Sequence, residues 1–309
     1  MINIIGVDIG GTKCAVVLGN KTGKIIRKEK FNTTDRDNTL DNIFRAIERM
    51  DNFDAIGVSC GGPLNSEKGV ILSPPNLPGW DNVEIANILN KKFSTPVFLR
   101  NDADASALAE WKFGAGQGTQ NMVFLTFGTG LGAGLILNGM LYSGACDMAG
   151  EVGHIRLADF GPVGYGKAGS FEGFCSGGGL AQLGQIIAKE NSQMGYPVSF
   201  AEDEITAKTI AAAAKKGDPA ALTVYRQCGY MLGKGLSILI DILNPEMIVL
   251  GSIFQRCEEL LRDEMTKVIE KETLLLSRNA CKIVPAKLGE SLGDIAALCV
   301  AAYGLKGEI

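Results

Sequence analysis

A glycine-tipped pair of apolar runs occurs twice in this chain and constrains its fold more than any other feature. The first is Ile4-Ile5-Gly6-Val7-Asp8-Ile9-Gly10-Gly11-Thr12-Lys13-Cys14-Ala15-Val16-Val17-Leu18. The second is Met122-Val123-Phe124-Leu125-Thr126-Phe127-Gly128-Thr129-Gly130-Leu131-Gly132-Ala133-Gly134-Leu135-Ile136-Leu137. In each, a β-favouring run enters a tight polar turn and a second apolar run leaves it, which predicts a hairpin. Glycine tolerates the backbone angles of such a turn and lets N–H groups come close to a ligand. Successive N–H groups in a turn form an anion-binding nest. Asp8 closes the first strand, where an unpartnered carboxylate is costly, and it suits a hydrated cation beside a polyphosphate. A hairpin with a capping aspartate explains the first stretch equally well on its own. The recurrence points instead to an internal duplication, with a nucleotide phosphate chain gripped between the halves.

Two common glycine motifs are excluded. A Walker loop needs Gly-Lys-Ser/Thr leading into a helix; here the order is Gly11-Thr12-Lys13 and a strand follows. Gly128-Thr129-Gly130 with Ala133 loosely satisfies a dinucleotide fingerprint, but that motif also requires a helix. Leu135-Ile136-Leu137-Asn138-Gly139 reads as strand and turn.

The chain has 309 residues, enough for two modest domains, and 46% hydrophobic residues, enough for a real core. A net charge of −4 and the lack of any Lys/Arg run argue against a nucleic-acid partner. No uninterrupted apolar segment is long enough for a bilayer, and the first strand begins at once, so neither a signal peptide nor a DNA-binding module is expected. Cys14, Cys60, Cys146, Cys175, Cys228, Cys257, Cys281 and Cys299 are dispersed. They read as mostly buried thiols of a reducing cytoplasm.

In chain order, a third strand is expected over 24–31, a helix over 40–50 from the spacing of Leu40, Ile43, Phe44 and Ile47, and a buried strand over 54–60. This is an α/β pattern. The prolines of 69–80 predict an irregular loop presenting Asn76 beside an aromatic, Trp80. A helix over 83–93 and a strand over 96–100 follow. Asn101-Asp102-Ala103-Asp104 then sits at a strand's carboxyl end before a helix over 105–112, where α/β ligands gather. Asp102 and Asp104 each suit a helix cap, and Asp102 also suits chemistry. His154, the single histidine, lies near Glu151 in a glycine-rich segment; a structural role is the default for such a residue. Residues 161–179 read as irregular, with Glu172 and Cys175 inside. Helices are expected over 180–190, 207–216, 219–243 and 257–272, strands over 245–252 and 282–285, and a last helix from 293.

Together these residues resemble the ROK family of sugar kinases and repressors, in the actin–hexokinase superfamily, nearly end to end. Asp8-Ile9-Gly10-Gly11-Thr12-Lys13 and Thr126-Phe127-Gly128-Thr129-Gly130 are similar to its two phosphate motifs. Pro75-Asn76-Leu77-Pro78-Gly79-Trp80 is similar to the sugar loop of its glucokinase-like members, Asn101–Asp104 to its catalytic segment, and Gly150-Glu151-Val152-Gly153-His154-Ile155 to its signature.

The resemblance implies a two-domain actin-like ATPase (ribonuclease H-like) α/β fold, each domain a mixed sheet flanked by helices, with a cleft between them. The smaller domain is expected over 1–118, joined by the final helix 293–309, and the larger over 119–292. It implies an ATP-dependent, cytoplasmic, homodimeric hexose 6-kinase using Mg²⁺ near Asp8. Asp102 is then the general base. Asn76, Asn101, Glu151, His154 and Glu172, with backbone near Gly62, bind the sugar. Asp8, Gly10, Gly11, Thr12, Lys13, Thr126, Gly128, Thr129, Gly130 and Gly251 bind ATP. Glucose is favoured by the loop pattern. N-acetylmannosamine, N-acetylglucosamine, allose and fructose stay open, as do polyphosphate as donor and a non-catalytic sugar sensor.

Two departures stand out. The family's zinc-site cysteines correspond to Val163, Tyr165 and Ser170, so no structural zinc is expected and His154 is expected to rest on hydrogen bonds alone. The glycine pair of the adenosine motif reads Gly251-Ser252, a bulkier pair beside the purine.

Overall fold

The structure is a computed structural model that describes residues 2–201 and 204–306. Strands β1 (Asn3–Ile9), β2 (Lys13–Asn20) and β3 (Ile25–Asn32) form an antiparallel meander. Helix α1 (Arg36–Glu48) follows, then β4 (Ala55–Cys60), a small ribbon of β5 (Leu64–Asn65) and β6 (Val70–Ile71), helix α2 (Ile85–Phe93), β7 (Val97–Asn101) and α3 (Asp102–Phe113). Next come β8 (Met122–Leu125), β9 (Ala133–Leu137) and β10 (Met140–Leu141), then the ribbon of β11 (Val163–Gly164) and β12 (Lys167–Ala168). Helices α4 (Phe171–Phe174), α5 (Gly177–Gln193), α6 (Ala207–Lys215) and α7 (Pro219–Leu243) lead to β13 (Met247–Leu250), α8 (Ile253–Glu272), α9 (Leu275–Ala280), β14 (Lys282–Pro285) and α10 (Leu292–Lys306). Two mixed five-stranded sheets result, of order β3-β2-β1-β4-β7 and β10-β9-β8-β13-β14. The chain divides into two compact units, 1–124 with 134–149 and 287–309, and 125–133 with 150–286. Residues 307–309 of the expected last helix lie outside the described residues.

In the first unit β1, β2 and β4 are buried almost throughout, so they read as continuous apolar runs rather than alternating ones. The edge strand β3 alternates half-buried and exposed residues. On one face, α1 lays Leu40, Ile43, Ala46 and Ile47 into a core with Val7, Val16, Val58 and Trp80. Asp35 caps this helix by accepting from Asn38 N. Its start at Arg36 lies four residues before the expected one because the polar first turn carries no periodic signal.

On the other face α10 packs with Ile4, Val17 and Ala55. It is apolar all round, as a buried helix must be. It comes this close because two strand residues have no side chain. A Cβ at Gly6 would lie 2.8 Å from Leu298 N, and one at Gly57 would overlap the backbone of Ala297 and Ala301.

In the second unit the 25-residue α7 starts with Pro219 under an Asp218 cap. It meets α8 through Gly229 and Gly233, whose Cβ atoms would lie 2.8 Å from Leu261 O and 2.7 Å from Met265 O. Strands β13 and β14 run parallel, Met247 opposite Lys282. Residues 161–179 are regular where an irregular stretch was expected: a ribbon, a short helix capped by Ser170 and the start of a helix capped by Ser176. Glycine content alone hid the two serine caps. Residues 69–80 likewise hold strand β6 ahead of the prolines.

Among the described residues no helix is long and apolar enough to cross a membrane, and all eight cysteines are free thiols. The α10 seam yields a prediction. Gly57→Ala should lower the unfolding free energy by about 1–3 kcal/mol through overpacking. Gly61→Ala, whose Cβ would meet nothing within 4 Å, should change it little; denaturant midpoints of the two variants check this.

Candidate active site

The first unit gathers one set of the expected residues. Asp8 is the sixth residue of β1, paired with Ala15 across the hairpin and Ser59 of β4. The turn beyond it is closed by Gly10 N donating to Lys13 O at 3.1 Å. Thr33 tethers it from outside, its hydroxyl donating to Gly10 O at 2.6 Å and its N–H to Thr12 O. A Cβ at Gly11 would lie 2.6 Å from Asn76 O, so the Pro75–Trp80 segment lies directly on this turn. Gly11, Thr12, Lys13 and Asn76 are all exposed. Trp80 is not their neighbour in an open loop. It is buried at 1% exposure in the core, with its indole N–H unpartnered among the described residues. The prolines turn the chain so that Leu77 and Trp80 point inward and Asn76 outward.

Asp102 does not precede its helix; it is the first residue of α3. The cap is Asn101, whose Oδ1 accepts from Ala103 N at 2.8 Å, and Asp102 Oδ1 accepts from the same N–H at 2.8 Å. With Oδ1 of Asn101 occupied, its amide nitrogen is left for other work, and it faces Gly62, where a Cβ would come within 3.1 Å of it. Asp104, the other capping candidate, is buried and accepts from Ser143 Oγ at 2.9 Å.

Carboxylates crowd this region. Burial, then repulsion from Asp102 and Asp294, raises Asp8 to about 6 against the pull of Lys30 and Lys28. Asp294 is held by an ion pair with Lys28. Gly293 beside it leaves room for Asp8 Oδ2, which a Cβ would approach to 2.9 Å. Asp102 is open to solvent, yet surrounding protein still pushes its carboxyl above the usual range, opposed by the Ala103 N–H. Burial lifts Asp104 to about 7, opposed by Ser143 and Arg100. Asp8 suits a hydrated Mg²⁺: it is a hard oxygen donor whose charge the protein only partly offsets.

The second unit gathers the rest. Thr126 N donates to Gly132 O at 3.0 Å, Gly132 N to Thr126 Oγ1 at 3.0 Å, and Gly128 N to Gly130 O at 3.1 Å, shaping the second turn. Glu172 on α4 accepts from Leu131 N at 3.0 Å and lies against Gly130. Gly153 of the signature packs under Leu131 O and against Glu172. Glu151 is exposed at the start of the turn that carries His154, whose N–H donates to Glu151 O at 3.1 Å. Gly251 N donates to Leu125 O and Ile253 N to Phe127 O, so residues 251–253 adjoin the same turn. Ser252 between them adopts φ 49°, ψ −97°, a region costly for a side chain. The capping box with Gln255 and the bond from Arg256 to its hydroxyl hold it there. Sequence reasoning missed the first turn of α5, where Gly177 N donates to Gly128 O at 2.8 Å. A glycine triplet after a serine was the available signal.

The segment that carries zinc ligands in the resembled family has no donor set for that metal. Ser170 is buried and caps Gly173 N, Val163 offers no lone pair, and Tyr165 is not a thiolate. These residues do not fit zinc. Nor does His154 rest on hydrogen bonds alone: the ring of Tyr165 stands edge-on to it, centroids 5.0 Å apart at 77°.

The profile of the ROK family matches residues 4–302. A glucokinase of Thermotoga maritima is 30% identical over 307 residues, covering 97% of both chains. A xylose repressor of Caldicellulosiruptor bescii is 31% identical over 298 residues, covering 93% of this chain and 74% of the repressor. A ROK family glucokinase of Streptomyces griseus, solved with glucose and AMPPNP, superposes with a TM-score of 0.79 at 29% identity, covering 97% of this chain and 99% of that one.

The raised Asp8 carboxyl gives a signed prediction. Its folded value of about 6 exceeds the ordinary 3.8, so its ionisation opposes folding: fully above pH 6, not at all below pH 3.8. At pH 7.5 without metal, Asp8→Asn should stabilise the fold by up to about 3 kcal/mol. The gain should shrink as pH falls from 6 towards 4, which thermal melts across that range measure.

Proposed function

The chain belongs to the ROK family, and from that premise we propose that it is an ATP-dependent kinase for the 6-hydroxyl of a hexose, with glucose the first candidate. The observation that carries this reading is Asp102. A solvent-accessible carboxylate of raised proton affinity stands at the first turn of a helix, in electrostatic reach of Asp8 at the first glycine turn. A protein that only senses sugar needs neither group.

Phosphoryl transfer is mostly positioning and charge neutralisation. In this reading Asp102 accepts the hydroxyl proton as the phosphorus–oxygen bond forms, a role worth on the order of 10²–10⁴ in rate. Its bond from Ala103 N holds Oδ1 in place and leaves Oδ2 for the sugar. Asn101 donates through its amide nitrogen, since its oxygen is committed to the cap. Asn76, Glu151, His154, Glu172 and the backbone near Gly62 bind the other sugar hydroxyls, and a missing hydroxyl strands a buried partner. The turns at Gly10, Gly11, Thr12 and Lys13 and at Thr126, Gly128, Thr129 and Gly130 offer N–H groups to the polyphosphate, with Gly251 beside the adenosine. Mg²⁺ held through water by Asp8 would offset phosphate charge. Support comes from the glucokinase similarity along 97% of the chain and from the glucose and nucleotide bound by the Streptomyces griseus relative.

A sugar sensor is the second reading, favoured by the 31% identity to a xylose repressor that is longer than this chain. A coupled assay of ADP release over a panel of hexoses and N-acetylhexosamines, with ATP and separately polyphosphate, decides between them. Turnover with a hexose supports the kinase; sugar binding without turnover supports the sensor. For the kinase, Asp102→Asn should retain the sugar KM and lose at least about 10² in kcat. Undiminished turnover would remove Asp102 from the role. Wild-type kcat/KM should fall as pH drops through about 6, because Asp8 must be ionised.

A further inference from the structure

We propose that Tyr165 is a positioning residue that fixes the imidazole of His154 for the sugar, by an edge-on ring contact in place of a bound metal. This rests on the reading of His154 as a sugar ligand.

The first observation is the contact itself, 5.0 Å between centroids at 77°, a favoured aromatic arrangement. Among the described residues neither imidazole nitrogen makes a hydrogen bond, so the ring contact is the specific restraint on its orientation. Both nitrogens stay available to a ligand.

The second observation is where Tyr165 stands. Val163 pairs with Ala168 and Gly164 with Lys167, so Tyr165-Gly166 is a two-residue hairpin loop. Both residues have positive φ, 45° and 76°. Such a loop favours Asn, Asp or Gly at its first position, and a bulky residue there is strained. Tyr165 is also 63% exposed, so burial does not repay the strain. Contact with His154 is the compensation the structure offers.

The third observation is that the platform is rigid. Gln182 of α5 both donates to Val163 O and accepts from Val163 N, each at 2.8 Å. Lys167 reaches from the far strand of the ribbon to His154 O at 2.7 Å, and Arg156 donates to Ala168 O at 2.7 Å. The ribbon is therefore tied to a long helix on one side and to the backbone of the histidine on the other. Only the side-chain angle of His154 is left for Tyr165 to set.

His154 is the only histidine, so untagged protein labelled with ¹³C-histidine gives one set of imidazole signals. Tyr165→Asn supplies the residue the turn favours and removes the ring; Tyr165→Phe keeps the ring. Tyr165→Asn should melt no lower than wild type. It should shift the His154 proton signals as the ring current is lost, and raise the KM for glucose about tenfold with kcat changed by less than about threefold. Tyr165→Phe should match wild type in all three. Tyr165→Asn should add no further loss of glucose affinity to His154→Ala. Unmoved histidine signals, or an equal further loss in the His154→Ala background, overturn the role of Tyr165. Unchanged glucose affinity in His154→Ala alone overturns the sugar reading of His154 itself, and the proposal with it.

Discussion

Three carboxylates of the first unit stand near enough to feel one another, and much of that unit is arranged around the cost. Asp8 is the last residue but one of a buried strand, Asp102 begins α3, and Asp294 lies in the first turn of α10. Like charges and burial together make the ionised form of Asp8 expensive. Lys28 and Lys30, on the edge strand β3, offset part of it, Lys28 through its pair with Asp294. What remains is a carboxylate whose charge a proton or a cation would relieve. An apolar strand end would be more stable and chemically inert.

Close approach is the second theme, and glycine provides it where no other residue can. Gly6 and Gly57 let α10 lie on the sheet, bringing Asp294 to Asp8. Gly11 lets the Asn76 segment lie on the first turn, and Gly153 lets its own segment lie on the second. Each contact joins a scaffold element to a functional one, so the turns are held by packing as well as by their own hydrogen bonds. Ser252 shows the same demand met by a different residue: its backbone is in a glycine-like region, and a capping box with Gln255 and a bond from Arg256 hold it there.

Much of the candidate site was legible because its parts are local. Asp8, the glycine turns and the Asn101–Asp104 segment are short stretches whose chemistry follows from residue type and from position at a strand's end. Capping was legible only in kind. The two candidates were Asp102 and Asp104, and the structure gave the cap to neither but to Asn101, whose Oδ1 accepts from Ala103 N. Trp80 was misread for a related reason. A loop of prolines says that the chain turns, but not which side chains turn inward, and Trp80 went to the core. The 161–179 stretch was misread because glycine hides caps that only a side-chain oxygen over an N–H reveals.

The sequence by itself determined the α/β alternation, the twin glycine turns and the family, since periodicity and short motifs need no partner from elsewhere in the chain. It also showed Val163, Tyr165 and Ser170 where the resemblance implies zinc-binding cysteines. Only the tertiary structure decided what stands there: a tyrosine in a strained turn, edge-on to the one histidine. Residues 154 and 165 are brought together by a ribbon whose anchor, Gln182, is on another helix. Contacts of that kind depend on the directions of three elements at once, which spacing along the chain does not encode.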